Sequence, residues 1–305
     1  MTQPLTSGGV SGEIRFLDTA DGPIVVKTAL GKLKVAADWF CSPDRNAVEA
    51  FCLQTLAEVL GENCVPRVLW IDEPKHTFAM RRLPPRLVNW KSRLLACDVD
   101  LTTARRVGEL LGQLHSRTSG RADLAERFDD RTYLFDLRIT PYHRKVMARA
   151  PRLASAIEDV VQRMLADRRC LVHGDYSPKN LMTDARDVVV LDCEVAHWGD
   201  PRFDIGFCLS HLLLKIIHSC GCAAELAHAA REYLDGYACA GLPVLDTELT
   251  RATGCLVLAR VIGDSPVEYL TTDSLRRAAF GLGEQLLLQP DSPSKCIDRA
   301  LAARG

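Results

Sequence analysis

One stretch constrains this chain more than any other. It runs Leu171-Val172-His173-Gly174-Asp175-Tyr176-Ser177-Pro178-Lys179-Asn180-Leu181 and is followed by Val188-Val189-Val190-Leu191-Asp192-Cys193-Glu194. The apolar runs read as short buried strands and the polar segment between them as a loop. The unit delivers an Asp, an Asn five residues later and a second Asp to one place. Phosphoryl transfer from ATP needs such a set: a carboxylate to accept the hydroxyl proton, then an amide and a carboxylate to hold Mg²⁺. The Asp-to-Asn spacing matches a kinase catalytic loop, and Asp192 falls where its metal-binding Asp should follow. Any one of these acids alone is more often structural. Joined in one strand–loop–strand unit, they point to kinase chemistry, with Asp175 as base and Asn180 and Asp192 as hard oxygen ligands of Mg²⁺. His173 is expected to hold the loop's shape, and Lys179 either to offset developing charge or to be a solvated loop residue.

The residues upstream supply partners for that unit. Glu13 to Leu17 and Ile24 to Leu30 alternate as strands around a turn at Asp18 to Pro23. Gly8-Gly9-x-x-Gly12 precedes them. Backbone amides of Gly8 and Gly9 would suit phosphate oxygens, although the pattern is not G-x-G-x-x-G and a plain turn reads it as well. The chain starts close to this hairpin, which leaves room for a short first strand. Lys27 ends a β-branched run, as a phosphate-contacting strand lysine does. Ser42-Pro43-Asp44 signals a helix start with a cap and a first-turn proline. Glu49 lies in line with Leu53, Leu56 and Leu60 on that helix and therefore points inward, where it can hold Lys27 in place. Val68 to Ile71 and Thr77 to Met80 read as a hairpin. Pro84-Pro85 then breaks the pattern and marks a boundary between residues 1–83 and 84–305. Backbone groups from Met80 to Leu83 would meet the adenine.

Downstream, helical periodicity dominates: Thr102 to Thr118, Leu153 to Asp167 and Phe207 to Ile217. His115 is expected to be packed, and Asp204 to cap or tether a loop. Glu194, two residues past Asp192, is a second candidate metal carboxylate. Only a short segment separates Asp192 from Asp204, too little to seat a peptide, so a small hydroxylated acceptor is expected. Arg260 to Tyr269 interrupts the helices with Gly and Pro; Arg260 and Trp198 are the candidates for acceptor contact. Over 305 residues the formal net charge is −1, which gives no basic excess for nucleic acid. No uncharged apolar run of about 18 residues suggests a membrane span, and Met1 to Pro4 lacks signal-peptide character. A cytoplasmic protein is expected, with a homodimer among the states the sequence leaves open. Its 12 cysteines are scattered among apolar patterns and read as free thiols, Cys220-Gly221-Cys222 included.

These motifs resemble the aminoglycoside phosphotransferase and choline kinase-like superfamily. Val172-His173-Gly174-Asp175 with Asn180 is similar to its His-Gly-Asp-x-x-x-x-Asn motif. Asp192-x-Glu194, Gly199-Asp200-Pro201 and Phe203-Asp204-Ile205 are similar to its metal motif and the helix start after it. The style of Val25 to Leu30 and of Asp192-x-Glu194 is closest to methylthioribose kinases. The resemblance implies an α+β, bilobal protein-kinase-like fold, with a small mainly β N-terminal lobe carrying one helix and a larger mainly α C-terminal lobe. It also implies ATP with Mg²⁺, and catalysis by Asp175. The acceptor is expected to be a sugar or related polyol. The alternatives are an aminoglycoside, an amino alcohol of the choline or homoserine kind, or a regulatory module that binds nucleotide without turnover.

Overall fold

β-branched and aromatic residues in alternation build the first part of the chain. The computed structural model describes residues 12–34, 39–219 and 221–304; Gly8, Gly9 and Cys220 lie outside them. β1 (Gly12–Thr19) and β2 (Gly22–Ala29) pair antiparallel along their whole length, so β1 has eight residues rather than a stub. β3 (Val68–Asp72) and β4 (Thr77–Arg81) complete a four-stranded antiparallel sheet in the order β1-β2-β4-β3. The sheet register sets Lys27 opposite Ile14 and Phe78. Helix α1 (Arg45–Leu60) packs on this sheet. It starts at Arg45 rather than at Pro43, because the Ser42 hydroxyl accepts the Asp44 amide (3.3 Å) in a local turn ahead of the helix.

After Pro84-Pro85 the chain leaves that sheet. β5 (Val88–Asn89) instead joins β7 (Leu181–Thr183) and β8 (Val188–Val190), the two strands that follow the central loop. β6 (Cys170–Val172), which leads into the loop, pairs with β9 (His197–Gly199). Helices surround these two small sheets. α2 (Trp90–Leu95) and α3 (Leu101–Thr118) precede α4 (Ala122–Arg127), α5 (Thr132–Leu134), α6 (Lys145–Arg149) and α7 (Ala154–Ala166). α8 (Arg202–His218) through α12 (Pro293–Ala302) follow, with α9 (Ala223–Ala240), α10 (Thr247–Ile262) and α11 (Asp273–Leu288) between them. α3 and α9 cross closely: a Cβ on Gly108 would meet the Tyr233 carbonyl, and one on Gly236 the Arg105 carbonyl.

Two parts of the sequence reading need correction. Cys97, just past α2, and Cys222, just before α9, form a disulfide across 125 residues, with Cα atoms 5.8 Å apart. Apolar surroundings and chain spacing gave no sign of this pairing, which depends on where two helix ends meet. The second concerns Arg260. α10 continues to Ile262, so Arg260 occupies its last turn and the irregular segment begins at Gly263. Among the described residues no helix is long and apolar enough to cross a membrane.

Candidate active site

The central loop is shaped by acids and backbone amides. Gly174 has φ +79°, and a Cβ there would collide with the Val195 carbonyl, so glycine is required between His173 and Asp175. Asp204, fully buried in the first turn of α8, accepts the His173 amide (2.6 Å) and the Gly174 amide (2.9 Å), while His115 Nε2 donates to it at 3.3 Å. Burial alone would raise its carboxyl; the His115 bond, the His173 ring and those amides hold it below the ordinary value. The tethering role expected of Asp204 and the packed role expected of His115 both fit this geometry. His173 Nε2 donates to the Leu191 carbonyl (3.1 Å) and Nδ1 accepts the Asp175 amide (3.1 Å), so the ring ties the loop to the next strand. Asp204→Ala should therefore cost roughly 2–4 kcal/mol of stability, since it strands two buried amides and His115. Denaturant unfolding of the variant checks this, and a loss below 1 kcal/mol would remove the tether from the account.

Asp175 sits at the end of this frame, buried, with three partners. Asn180 Nδ2 donates to Oδ2 at 2.8 Å and to the Asp175 carbonyl at 2.9 Å. Lys179 Nζ lies 2.9 Å from Oδ2, and Arg138 Nη2 lies 3.1 Å from Oδ1. Arg138 Nε also donates to the Gly174 carbonyl (2.8 Å). Arg138 comes from a widened, π-helical stretch over Phe135–Arg144 that contains Pro141. Such stretches often aim side chains at functional sites. Sequence reasoning missed Arg138; the proline inside an otherwise helical run was the available signal.

The second half of the site is carboxylate-rich. Lys27 Nζ lies 2.8 and 2.6 Å from the two Glu49 oxygens and 2.5 Å from Asp192 Oδ1. The clamp expected between Lys27 and Glu49 thus fits, and it includes Asp192. Burial disfavours the Lys27 charge, but Asp192, Glu49 and Glu194 together hold it protonated well above its ordinary value. Asp192 is held down in turn: burial raises its carboxyl, and Lys27 and Lys179 outweigh that. Burial pushes Glu49 up to about 8 against the pull of Lys27. Asp192 has φ +66°, a left-handed conformation uncommon for a residue with a side chain and concentrated at functional sites. Glu194 accepts Arg45 Nε at 3.0 Å, and Arg45 is fully buried. Arg45 also donates to the carbonyls of Leu30, Cys41 and Ser42. Arg45 was also missed; a cation in the first helical turn opposes the helix dipole and calls for a carboxylate nearby.

Oxygen atoms of Glu49, Asp192 and Glu194 lie within 4.8 Å of one another. With the Asn180 amide oxygen, whose Nδ2 is already used, they form a donor set of hard oxygens that fits Mg²⁺. A cavity of about 420 Å³ joins both halves, reached by Lys27, Asp175, Asn180, Asp192 and Glu194, with Met80 in its wall. Leu83 is not part of that wall. Trp198 is buried on β9, its indole donating to the Arg168 carbonyl (3.2 Å), apart from the cavity; its size suited the core rather than a ligand. Arg260 is not in the wall but bonds two residues that are, Tyr142 (3.0 Å) and Ser265 (2.8 Å).

Comparison with known proteins gives the family and the fold. The family described as "Phosphotransferase enzyme family" matches residues 3–247. A methylthioribose kinase of Bacillus velezensis is 25% identical over 221 residues, covering 64% of this chain and 55% of the relative. One of Pectobacterium atrosepticum is 25% identical over 231 residues, covering 67% and 56%. The chain therefore spans little more than half the length of these curated relatives. A choline/ethanolamine kinase family protein from Mesorhizobium loti superposes with a TM-score of 0.54 at 17% identity, covering 99% of this chain and 92% of that one. An amicoumacin kinase solved with AMP-PNP, Ca²⁺ and Ami gives 0.59 at 12% identity, covering 96% and 90%. At such identities the likeness is one of fold, and the fold is the protein-kinase-like one expected from the sequence: a small sheet-rich N-terminal region and a large helical C-terminal part.

Proposed function

The chain belongs to the phosphotransferase enzyme family, and from that premise we propose that it transfers the γ-phosphoryl group of ATP to a hydroxyl of a small molecule. One observation carries the proposal: a single cavity joins Asp175, with its Asn180, Lys179 and Arg138 partners, to the Lys27–Glu49–Asp192 cluster. In this reading Asp175 accepts the proton of the acceptor hydroxyl. The freed oxygen bonds to the γ-phosphorus, the bond to the β,γ-bridging oxygen breaks, and ADP leaves. Lys27, oriented by Glu49, faces the phosphates, and Met80 lies toward the base. Arg138 and Lys179 flank Asp175 and oppose negative charge as it builds. Such placement matters most in a loose transition state, where catalysis is largely positioning and charge stabilisation. Asn180, Asp192 and Glu194 would hold Mg²⁺, which when bound neutralises phosphate oxygens. Arg45 keeps Glu194 turned into the site. The AMP-PNP and Ca²⁺ bound to the amicoumacin kinase of like fold support a nucleotide with a divalent cation.

For the acceptor we favour a sugar or related polyol. Arg138 and Lys179 line the cavity beside Asp175 and Arg260 stands behind Tyr142 and Ser265 of its wall, so a polycationic aminoglycoside or a quaternary amino alcohol would meet like charge there. The methylthioribose kinases among the relatives point the same way. The test is ADP formation against a panel of polyols, amino alcohols and aminoglycosides. Turnover should need both an acceptor and a divalent cation, with one ADP per phosphorylated acceptor. Failure with every acceptor, or turnover indifferent to EDTA, would defeat the proposal.

A further inference from the structure

Beyond Tyr142 and Ser265, the half-buried Arg260 and the buried Lys215 lie together without ion-pair partners among the described residues. Arg260 Nη1 is bonded to those two side chains, but its Nε is buried and unpartnered. Lys215, in the middle of α8 and only 1% exposed, donates to the His211 carbonyl (3.3 Å) and lies over the Tyr269 ring, 5.3 Å from its centroid. Among the described residues neither Arg260 nor Lys215 forms an ion pair. His211 is 5% exposed and Tyr269 7% exposed, and both His211 Nε2 and Tyr269 Oη lack a hydrogen-bond partner. Glu268 is the acid of this neighbourhood, and it is tied to Lys91.

The electrostatics agree with the geometry. Burial drives the His211 ring well below its ordinary value, and Arg260, Lys215, Lys179 and Lys91 all push the same way. Of these four, Lys91 is paired with Glu268 and Lys179 with Asp175, which leaves Arg260 and Lys215 as the cations without an ion pair beside the neutral ring. Buried charges are ordinarily paired, and buried polar atoms ordinarily bonded, because each otherwise loses its hydration without compensation. Arg260 and Lys215, without acids of their own and with three unbonded buried polar atoms among them and their neighbours behind the wall of a cavity, are therefore complementary to an anion.

We propose that this cluster is an oxyanion subsite of the acceptor. The acceptor turns its hydroxyl to Asp175 and an anionic group, carboxylate or phosphate monoester, to Arg260, with His211 and Lys215 behind. The proposal rests on the kinase reading above and narrows it from a polyol to an acidic polyol. A neutral sugar or polyol would leave the cluster without its counter-charge.

Skeleton-matched acceptors test it: ribitol, ribonate and ribitol 5-phosphate, and the same three forms of a six-carbon polyol. Each is measured with the full chain, by ADP release for kcat/KM and by calorimetric binding without nucleotide. At least one anionic form should exceed its neutral parent tenfold or more in both readouts, and the carboxylate and phosphate arms show which oxyanion fits. Arg260→Gln, which keeps a hydrogen-bonding side chain, should bring that ratio to within about threefold of unity. Lys215→Met fills a similar volume without charge and should do the same, so the test survives if one variant does not fold. Neutral acceptors equal to the anionic ones, or a ratio unchanged in both variants, would overturn the subsite while leaving the kinase reading intact. Arg260-dependent anion binding with no ADP formed would keep the subsite and overturn the kinase reading.

Discussion

Asp175→Asn should lower kcat for phosphoryl transfer by roughly 10³-fold, within the range a positioned proton acceptor supplies. The substitution keeps size and shape and removes the basic oxygen. It also removes the charge that Lys179 and Arg138 approach at 2.9 and 3.1 Å and turns one acceptor beside the Asn180 amide into a donor. Loss of those ion pairs should cost about 1–2 kcal/mol. The local frame should survive, because His173, Gly174 and Asp204 hold the loop through bonds that Asp175 does not make with its side chain. KM for ATP should therefore change little: the Lys27–Glu49–Asp192 cluster stands apart from the Asp175 side chain. Single-turnover rates with ATP in excess separate the chemical step from product release. A variant that keeps a rate within tenfold of the parent would remove Asp175 from the base role, whatever the fate of the rest of the site.

How much of this site was legible depended on how local each interaction is. The His173-to-Asn180 loop could be read directly, because strand, turn and strand follow one another and the five-residue spacing fixes Asp175 against Asn180. Glu49 could be read from helical phase, since it shares a face with Leu53 and Leu56, and both of those are buried. The Arg138–Asp175 pair could not, because 37 residues separate them and a π-helical stretch, not regular periodicity, aims the arginine. The Arg45–Glu194 pair spans 149 residues and joins the first helix to the loop after β8. Trp198, a candidate for acceptor contact on sequence, is carried into the core by β6–β9 pairing, a long-range contact that the local sequence does not show. Lys215 falls within the helical run Phe207 to Ile217, whose periodicity gives a lone lysine no separate signal. Its helix is indeed buried along its length, and that burial is what makes the lysine informative.

Lys215→Met should stabilise the fold at pH 7, by roughly 3–5 kcal/mol at about 1.4 kcal/mol per pKa unit, and the gain should shrink as pH rises. Burial first, then Lys91 and Arg260, against the opposing pull of Cys208 and Glu268, lower the Lys215 ammonium from 10.5 to about 7. The sign follows from proton counts. Between pH 7 and 10.5 the unfolded chain holds this proton and the folded chain releases it, so wild-type stability rises with pH across that window. Below about pH 7 both states hold the proton and the full cost of burying the charge remains. Methionine never carries that charge, and every other titrating group is common to both proteins, so the difference between them isolates Lys215. Denaturant melts of the pair at pH 6, 7, 8.5 and 10 give the curve directly. A gain that is absent at pH 6 to 7, or that does not fall toward pH 10, would show that Lys215 is compensated inside the fold. If the gain appears and the same variant also loses its preference for anionic acceptors, the lysine is a residue kept at the expense of stability for what it binds. A bound oxyanion should then reverse the order. By pairing with the ammonium it would raise the lysine's pKa and stabilise wild type, while leaving Lys215→Met nearly unmoved.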